Sequence, residues 1–204
     1  MTSFSDFFID RRYASAIRLT HPAPRVGEIQ MILDIARLSL FPALMAFAAA
    51  SDLFTMTISN RVSVALIAGF AVLAPLCGMG TTDILMHAGA GATVLLVAFG
   101  CFACGWVGGG DAKLAASAAL WFGFAHLMNY LLYASLFGGA LTILLLQLRQ
   151  WPLPYALTGQ AWLMRLHAKE SGIPYGIALA IGALAVYPQT AWVKAVSLAS
   201  VAMH

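Results

Sequence analysis

Charge is scarce in this sequence. Of 204 residues, 9% are Asp, Glu, Lys or Arg, while 61% are hydrophobic. A soluble domain carries about 25% charged residues, so a fold surrounded by water is excluded and lipid is the expected solvent. Cysteine is scarce too. Cys77, Cys101 and Cys104 fall in or beside apolar runs, which argues for packing residues rather than a disulfide framework. Cys101-x-x-Cys104 has no second pair to complete a zinc site, and no metal or other cofactor is expected. The net charge of +3 is too small to point to nucleic acid. Nothing resembles a short, cleaved secretory signal ahead of the first long apolar run.

What the chain has in abundance is apolar length. About 20 consecutive apolar residues cross a bilayer core of roughly 30 Å. Six such segments can be drawn: residues 32–50, 62–79 and 84–107, two sharing 112–148, and a sixth of about 20 residues from Ile173. The shared stretch is too long for one helix and is divided near His126 to Asn129. Pro188 ends or kinks the sixth. Backbone polar groups in lipid must be paired within their own segment, so the expected fold is all-α, a polytopic membrane protein of about six transmembrane helices. Residues 157–169 mix Trp162, Leu163 and Leu166 with Gln160, Arg165 and Lys169. That mix fits a helix lying on the membrane surface or a connecting loop. Gly89-Ala90-Gly91-Ala92 and Gly138-Gly139 let helix backbones approach closely.

Basic residues collect in cytoplasmic loops. Arg61, Lys113, Arg149, Arg165 and Lys169 follow the first, third and fifth segments, and the other turns hold no Lys or Arg. The loops after segments one, three and five are therefore expected in the cytoplasm, with the start of segment one outside. Arg11, Arg12, Arg18 and Arg25 conflict with that orientation. Residues 1–30 are expected to be a poorly ordered extension, or untranslated with Met31 as the true start; residues 31–204 form the six-helix domain.

An acid inside or beside a membrane helix is costly and marks function by default. Asp34 and Asp83 sort to the outer side, and Glu170 to a polar cytoplasmic run beside Lys169 and Ser171. Asp52 ends the first segment and Asp111 opens the fourth, so these two can meet at one depth on the cytoplasmic side. Two carboxylates at one site share a proton. That arrangement suits hydrolysis: one activates water and the other hydrogen-bonds the carbonyl and protonates the leaving group. The plainer reading is that each Asp caps a helix end. Gly108-Gly109-Gly110 before Asp111 leaves room for an extended strand to approach. His87 and His126 have no nucleophilic partner at useful spacing.

Gly108-Gly109-Gly110-Asp111-Ala112-Lys113, an Asp52 eight residues before Asn60, and Ile173-Pro174-Tyr175-Gly176 occur in that order. This set resembles the type IV prepilin peptidase family of intramembrane aspartic proteases, over about residues 32–190. The resemblance implies cleavage of a prepilin leader after a glycine, at the cytoplasmic face of the bacterial inner membrane, with Asp52 and Asp111 as the catalytic pair. The chain reads Ile58-Ser59-Asn60 where the family often has Ile-Pro-Asn. It has no room for the cysteine-rich domain or the methylation activity of larger members, and so resembles the peptidases of Flp/Tad-type pilus systems. Gly108 and Gly110 are expected to leave space for substrate and Asn60 to hold the loop after the first helix. Lys113 either tunes the pair, or contacts substrate backbone, or only snorkels to the headgroups. The implied partners are a prepilin or pseudopilin and the bilayer. The rival reading is a small proton- or cation-coupled transporter using Asp52 and Asp111 as a relay; acids at one face rather than the midplane argue against it.

Overall fold

The computed structural model describes residues 26–154 and 159–195. The described chain is helical: α1 (Val26–Thr55), α2 (Asn60–Leu76), α3 (Thr81–Ala103), α4 (Gly109–Leu148), α5 (Ala161–His167) and α6 (Tyr175–Val186). A 3₁₀ turn at Tyr187–Gln189 ends α6 where Pro188 withholds its N–H. Three of these helices, α1, α3 and α4, are long and apolar enough to cross a membrane, and α2 and α6 are shorter apolar helices. Large apolar side chains point outward along them, Leu96 and Met128 each at 73% exposure. In water this surface would be an aggregation site; in lipid it is the solvated face.

The first helix begins at Val26 and so takes in Met31. Residues 1–25, most of the expected extension, lie outside the described residues. Residues 26–30 form the first turn of α1, and no proline interrupts that helix before Pro42.

The 40 residues of α4 are two helices joined at Gly123, whose φ of 58° and ψ of −177° are not helical. The division lies at Gly123 and not at the polar stretch His126 to Asn129. The reason is local stereochemistry, since glycine alone takes this backbone conformation without strain. The break frees backbone carbonyls inside an apolar body, where each needs a donor. His87 Nδ1 lies 2.8 Å from the Leu120 carbonyl oxygen, and Trp192 Nε1 donates to that of Trp121 at 2.9 Å. A Cβ on Gly123 would fall 2.8 Å from His87 Nε2. His87, without a catalytic partner in the sequence, thus has a structural one.

Contacts show that α4 runs out and back. Gly110 near its start lies against Ile58. Its middle meets His87 in α3. At its end Arg149, buried, donates to the Leu166 and Gly172 carbonyls at 2.9 Å and to Ser171 Oγ at 3.1 Å. The second half of α4 lies against α6 so closely that a Cβ on Gly182 would be 2.7 Å from Ala134 N. Counting α4 as two gives the six apolar helical segments expected.

The core is centred on the first half of α4. Trp121, fully buried, donates its Nε1–H to the Leu66 carbonyl at 3.0 Å and packs on Phe41, Phe70 and Trp192 at centroid separations of 5.2, 6.0 and 4.9 Å. The surface stretch contracts to α5, whose Trp162 packs edge-on against Phe54 of α1 and whose Arg165 donates to the Phe54 carbonyl at 2.8 Å.

Candidate active site

Thr55 ends α1 and Asn60 begins α2, so the chain turns within 56–59 beside the last turn of α1. Met56 takes a φ of 55°, which a non-glycine residue adopts only when its surroundings require it. Ser51 Oγ and Thr55 Oγ1 donate to the Thr57 carbonyl at 2.9 and 3.2 Å and fix the turn. Its effect is to aim Ile58 inward. A Cβ on Gly110 would lie 3.3 Å from Ile58 Cβ, and one on Gly176 2.6 Å from Ile58 Cδ1. Ile58 therefore joins the start of α4 to the start of α6.

Asp52, only 5% exposed, lies under this turn. Its Oδ2 accepts the backbone N–H of Gly176 at 2.7 Å, and the carboxylate also faces the N–H of Ile177. Pro174 is the N-cap of α6 and has no side-chain acceptor to offer. The first turn of any helix leaves N–H groups without partners and carries partial positive charge. Asp52, from another helix, supplies the missing acceptor, which makes the start of α6 an anion site of the kind helix N-termini provide. This explains Pro174-Tyr175-Gly176 physically. A side chain on Gly176 would meet Asp52 Oδ2 at 2.8 Å.

Asp111 stands in the first turn of α4, three residues after the N-cap Gly108. Its carboxylate turns back toward the Gly108 backbone N–H, the geometry of a capping box with an acid at the third position. A Cβ on Gly108 would be 2.9 Å from Asp111 Oδ2. So Asp111 does not cap as the N-cap residue; glycine holds that position and the acid bonds back to it. Asp111 is half-buried and close enough to Asp52 for the two carboxylates to interact electrostatically. Among the described residues no cation forms an ion pair with either. Tyr175, which opens α6, is also within electrostatic range of Asp111, and its ring fits only because position 138 is glycine.

The remaining candidates separate. Lys113 Nζ donates to Asn60 Oδ1 at 3.0 Å, so the amine and the amide together tie α2 to α4 beside the acids. Asp34 lies at the far end of α1, paired with Arg37 of its own helix, whose carbonyl accepts from Tyr187. Asp83 and Glu170 are exposed. Two residues that position the site, Ile58 and Gly176, had no assigned role in the sequence. The signal for both was present, since each stands inside one of the quoted motifs.

Asp52 in the last turn of α1, bonded to the start of α6, and Asp111 in the first turn of α4 stand at one end of a bundle of apolar helices, which defines an intramembrane protein with two acids in electrostatic range of each other. A family model described as the type IV leader peptidase family matches residues 39–143. That is just over half of the chain and includes both Asp52 and Asp111. The chain belongs to the type IV leader peptidase family, and is a membrane-embedded, leader-peptidase-like protease. Comparison with curated proteins and with solved structures gives no match.

Proposed function

We propose that this protein cleaves the leader peptides of Flp/Tad-like prepilins at the cytoplasmic face of the inner membrane, with Asp52 and Asp111 as its catalytic pair. The observation that carries the proposal is that these two acids, from separate helices, come within electrostatic range of each other and that neither pairs with a cation among the described residues. A buried carboxylate that serves only structure is ordinarily paired with one. Here the donors are backbone N–H groups, which leave carboxylate oxygens available to water and substrate.

In the proposed reaction one carboxylate accepts a proton from a water molecule, whose oxygen bonds to the scissile carbonyl carbon. The other, protonated, hydrogen-bonds the carbonyl oxygen. Collapse breaks the C–N bond as a proton passes to the leaving amine. The net change is one peptide and one water converted to a carboxylic acid and an amine. The space that Gly108 and Gly110 leave is taken by the Asp111 carboxylate and by Ile58 and not by a peptide, and the Lys113–Asn60 bond holds the turn that carries Ile58.

The orientation rests on charge. Arg11, Arg12, Arg18 and Arg25 ahead of α1 run against the orientation, but in the turns that join the helices Arg61, Lys113, Arg149, Arg165 and Lys169 lie at the acid end, with no Lys or Arg in the turn 77–80 at the other. That bias favours a cytoplasmic acid end. A transporter reading has less support, because both acids sit at helix ends. Incubation of the purified protein with a prepilin precursor tests the proposal. A shift to the mature size that requires both Asp52 and Asp111 is expected; full processing by Asp52→Asn or Asp111→Asn would refute the assignment.

A further inference from the structure

The side chain of Ile58 spans the interval between the two acids. At its root, Cβ stands 3.3 Å from the Cβ position of Gly110, the residue before Asp111. At its tip, Cδ1 stands 2.6 Å from the Cβ position of Gly176, and Asp52 Oδ2 is 2.8 Å from that same point. Ile58 thus reaches from the backbone beside Asp111 to the carboxylate of Asp52. In the reaction proposed above one carboxylate holds the scissile carbonyl and the other takes the proton of the attacking water, so the peptide has to enter this same interval. With Ile58 in place Asp52 is only 5% exposed. The acids are assembled, and the place between them is filled.

The segment that carries Ile58 is short and lightly fastened. Residues 56–59 join α1 to α2; Thr55, Thr57 and Ser59 are exposed, and Ile58 is half-buried. Ser51 Oγ and Thr55 Oγ1 both donate to the Thr57 carbonyl, and the hydroxyls of Thr55 and Thr57 lie 2.8 Å apart. These bonds are exposed, so water replaces them at small cost when the turn moves. Against them works Met56, whose φ of 55° is a strained conformation for a residue with a side chain. Both feet of the turn are fixed. Asn60 takes the Lys113 amine on the α2 side, and Asp52 takes the Gly176 N–H on the α1 side. Movement is therefore confined to residues 56–59, with Met56 as the residue whose backbone relaxes. A few residues at element ends that absorb a large dihedral change make a hinge.

We infer that residues 56–59 are a lid on the site: Ile58 closes the interval between Asp52 and Asp111 in the free protein, and the turn swings outward when a peptide takes that place. The inference rests on the leader-peptidase reading above and adds how the site is kept shut. A lid of this kind selects substrates. Only a segment that binds well enough to displace Ile58 reaches the acids, and its apparent affinity is lowered by the fraction of protein that is closed.

Alkylation of a thiol at position 58 tests the lid without cleavage. The full chain carrying Ile58→Cys, Asp52→Asn and Asp111→Asn is treated in detergent with a water-soluble maleimide, and modification at position 58 is followed by mass spectrometry. The rate is compared with and without a prepilin precursor whose binding is checked by co-purification. Bound precursor is expected to raise the rate about tenfold by populating the open turn. An unchanged or slower rate with precursor bound would make Ile58 a fixed wall and overturn the lid. A second measurement needs no substrate. An apolar carbodiimide modifies the carboxyl groups it can reach. With both acids present, Ile58→Ala should speed modification of Asp52 about tenfold, while exposed Asp83 keeps its rate as the internal standard. Equal rates at Asp52 with and without the Ile58 side chain would also overturn the lid. If the unsubstituted protein left the precursor uncut, the leader-peptidase reading would fail, and the carbodiimide rates would still decide whether Ile58 closes the acids.

Discussion

The two ends of α1 treat a carboxylate in opposite ways. Asp34 and Asp52 are eighteen residues apart on this helix, about 27 Å along its axis. Asp34 is paired with Arg37, itself only 6% exposed, and the Arg37 carbonyl takes the Tyr187 hydroxyl. Asp52 is more deeply buried than Asp34, at 5% exposure, and among the described residues it receives backbone N–H groups alone. An ion pair fixes both partners and uses the acid for cohesion. Helix-start N–H groups hold a carboxylate in place without spending a cation, so its charge stays available for chemistry. One end of the protein holds its acid by an ion pair within a helix, and the other by backbone donors from a second helix.

The sharpest way to break this comparison is to neutralise each acid in turn. Asn at position 52 or 111 keeps the shape, and its amide oxygen can still accept the Gly176 N–H. Cleavage of a precursor should nevertheless fall by about 10³-fold, the scale of lost acid–base catalysis, with normal accumulation in the membrane. Asp34→Asn should process at nearly the native rate. A processing defect in Asp34→Asn equal to that of Asp52→Asn, at equal protein level, would erase the distinction.

The converse experiment acts on stability. Arg37→Met leaves the partly exposed Asp34 without its cation, and an acid that keeps only part of its hydrogen bonding costs about 1–3 kcal/mol. Thermal unfolding in detergent should show this loss. Adding Asp34→Leu should restore most of it, because an apolar pair is well tolerated in such a place. Lys113→Met at the acid end should cost far less.

Between these extremes lies Gly176→Ala. The new methyl would stand 2.6 Å from Ile58 Cδ1 and 2.8 Å from Asp52 Oδ2. It should push the acid off the start of α6 and lower kcat by about tenfold to a hundredfold, since small misplacements near a reacting group are expensive. Ile58→Val alongside it should recover part of the activity. No recovery would mean that Asp52, and not Ile58, takes the strain.

The smallest effect belongs to the Lys113–Asn60 bond, which is exposed. Lys113→Ala or Asn60→Ala should each cost ~1 kcal/mol, about fivefold in rate. The double variant should cost no more than either alone, as a shared contact requires. Additive losses would give Lys113 a separate role toward substrate.

The acids were legible in the sequence because charge is rare enough that each instance could be weighed. Arg61, Lys113 and Arg149 sorted them to one end by simple counting. What was not legible depends on chains meeting across the bundle. Hydropathy does not change through Phe122, Gly123 and Phe124, so the break drew attention to the polar residues His126 and Asn129 instead. Its true position is set by a backbone angle and by donors from His87 and Trp192, some 33 and 71 residues from the carbonyls they reach. Gly176 was visible as a motif, but its reason, the oxygen of Asp52 against its α-carbon, exists only after folding. The spacing of Asp34 and Arg37, three apart on one helix face, was readable and marks the structural acid as plainly as the glycines mark the other.

The break at Gly123 also leaves a short helix in the middle of the bundle. Residues 109–122 run about 21 Å, less than a hydrocarbon layer of roughly 30 Å. Most of these residues are buried by the surrounding helices, so their length is matched by protein and not by the bilayer. A helix too short to span on its own is thereby tolerated in lipid, and its first turn, with Asp111, is placed by neighbouring helices rather than by the membrane surface.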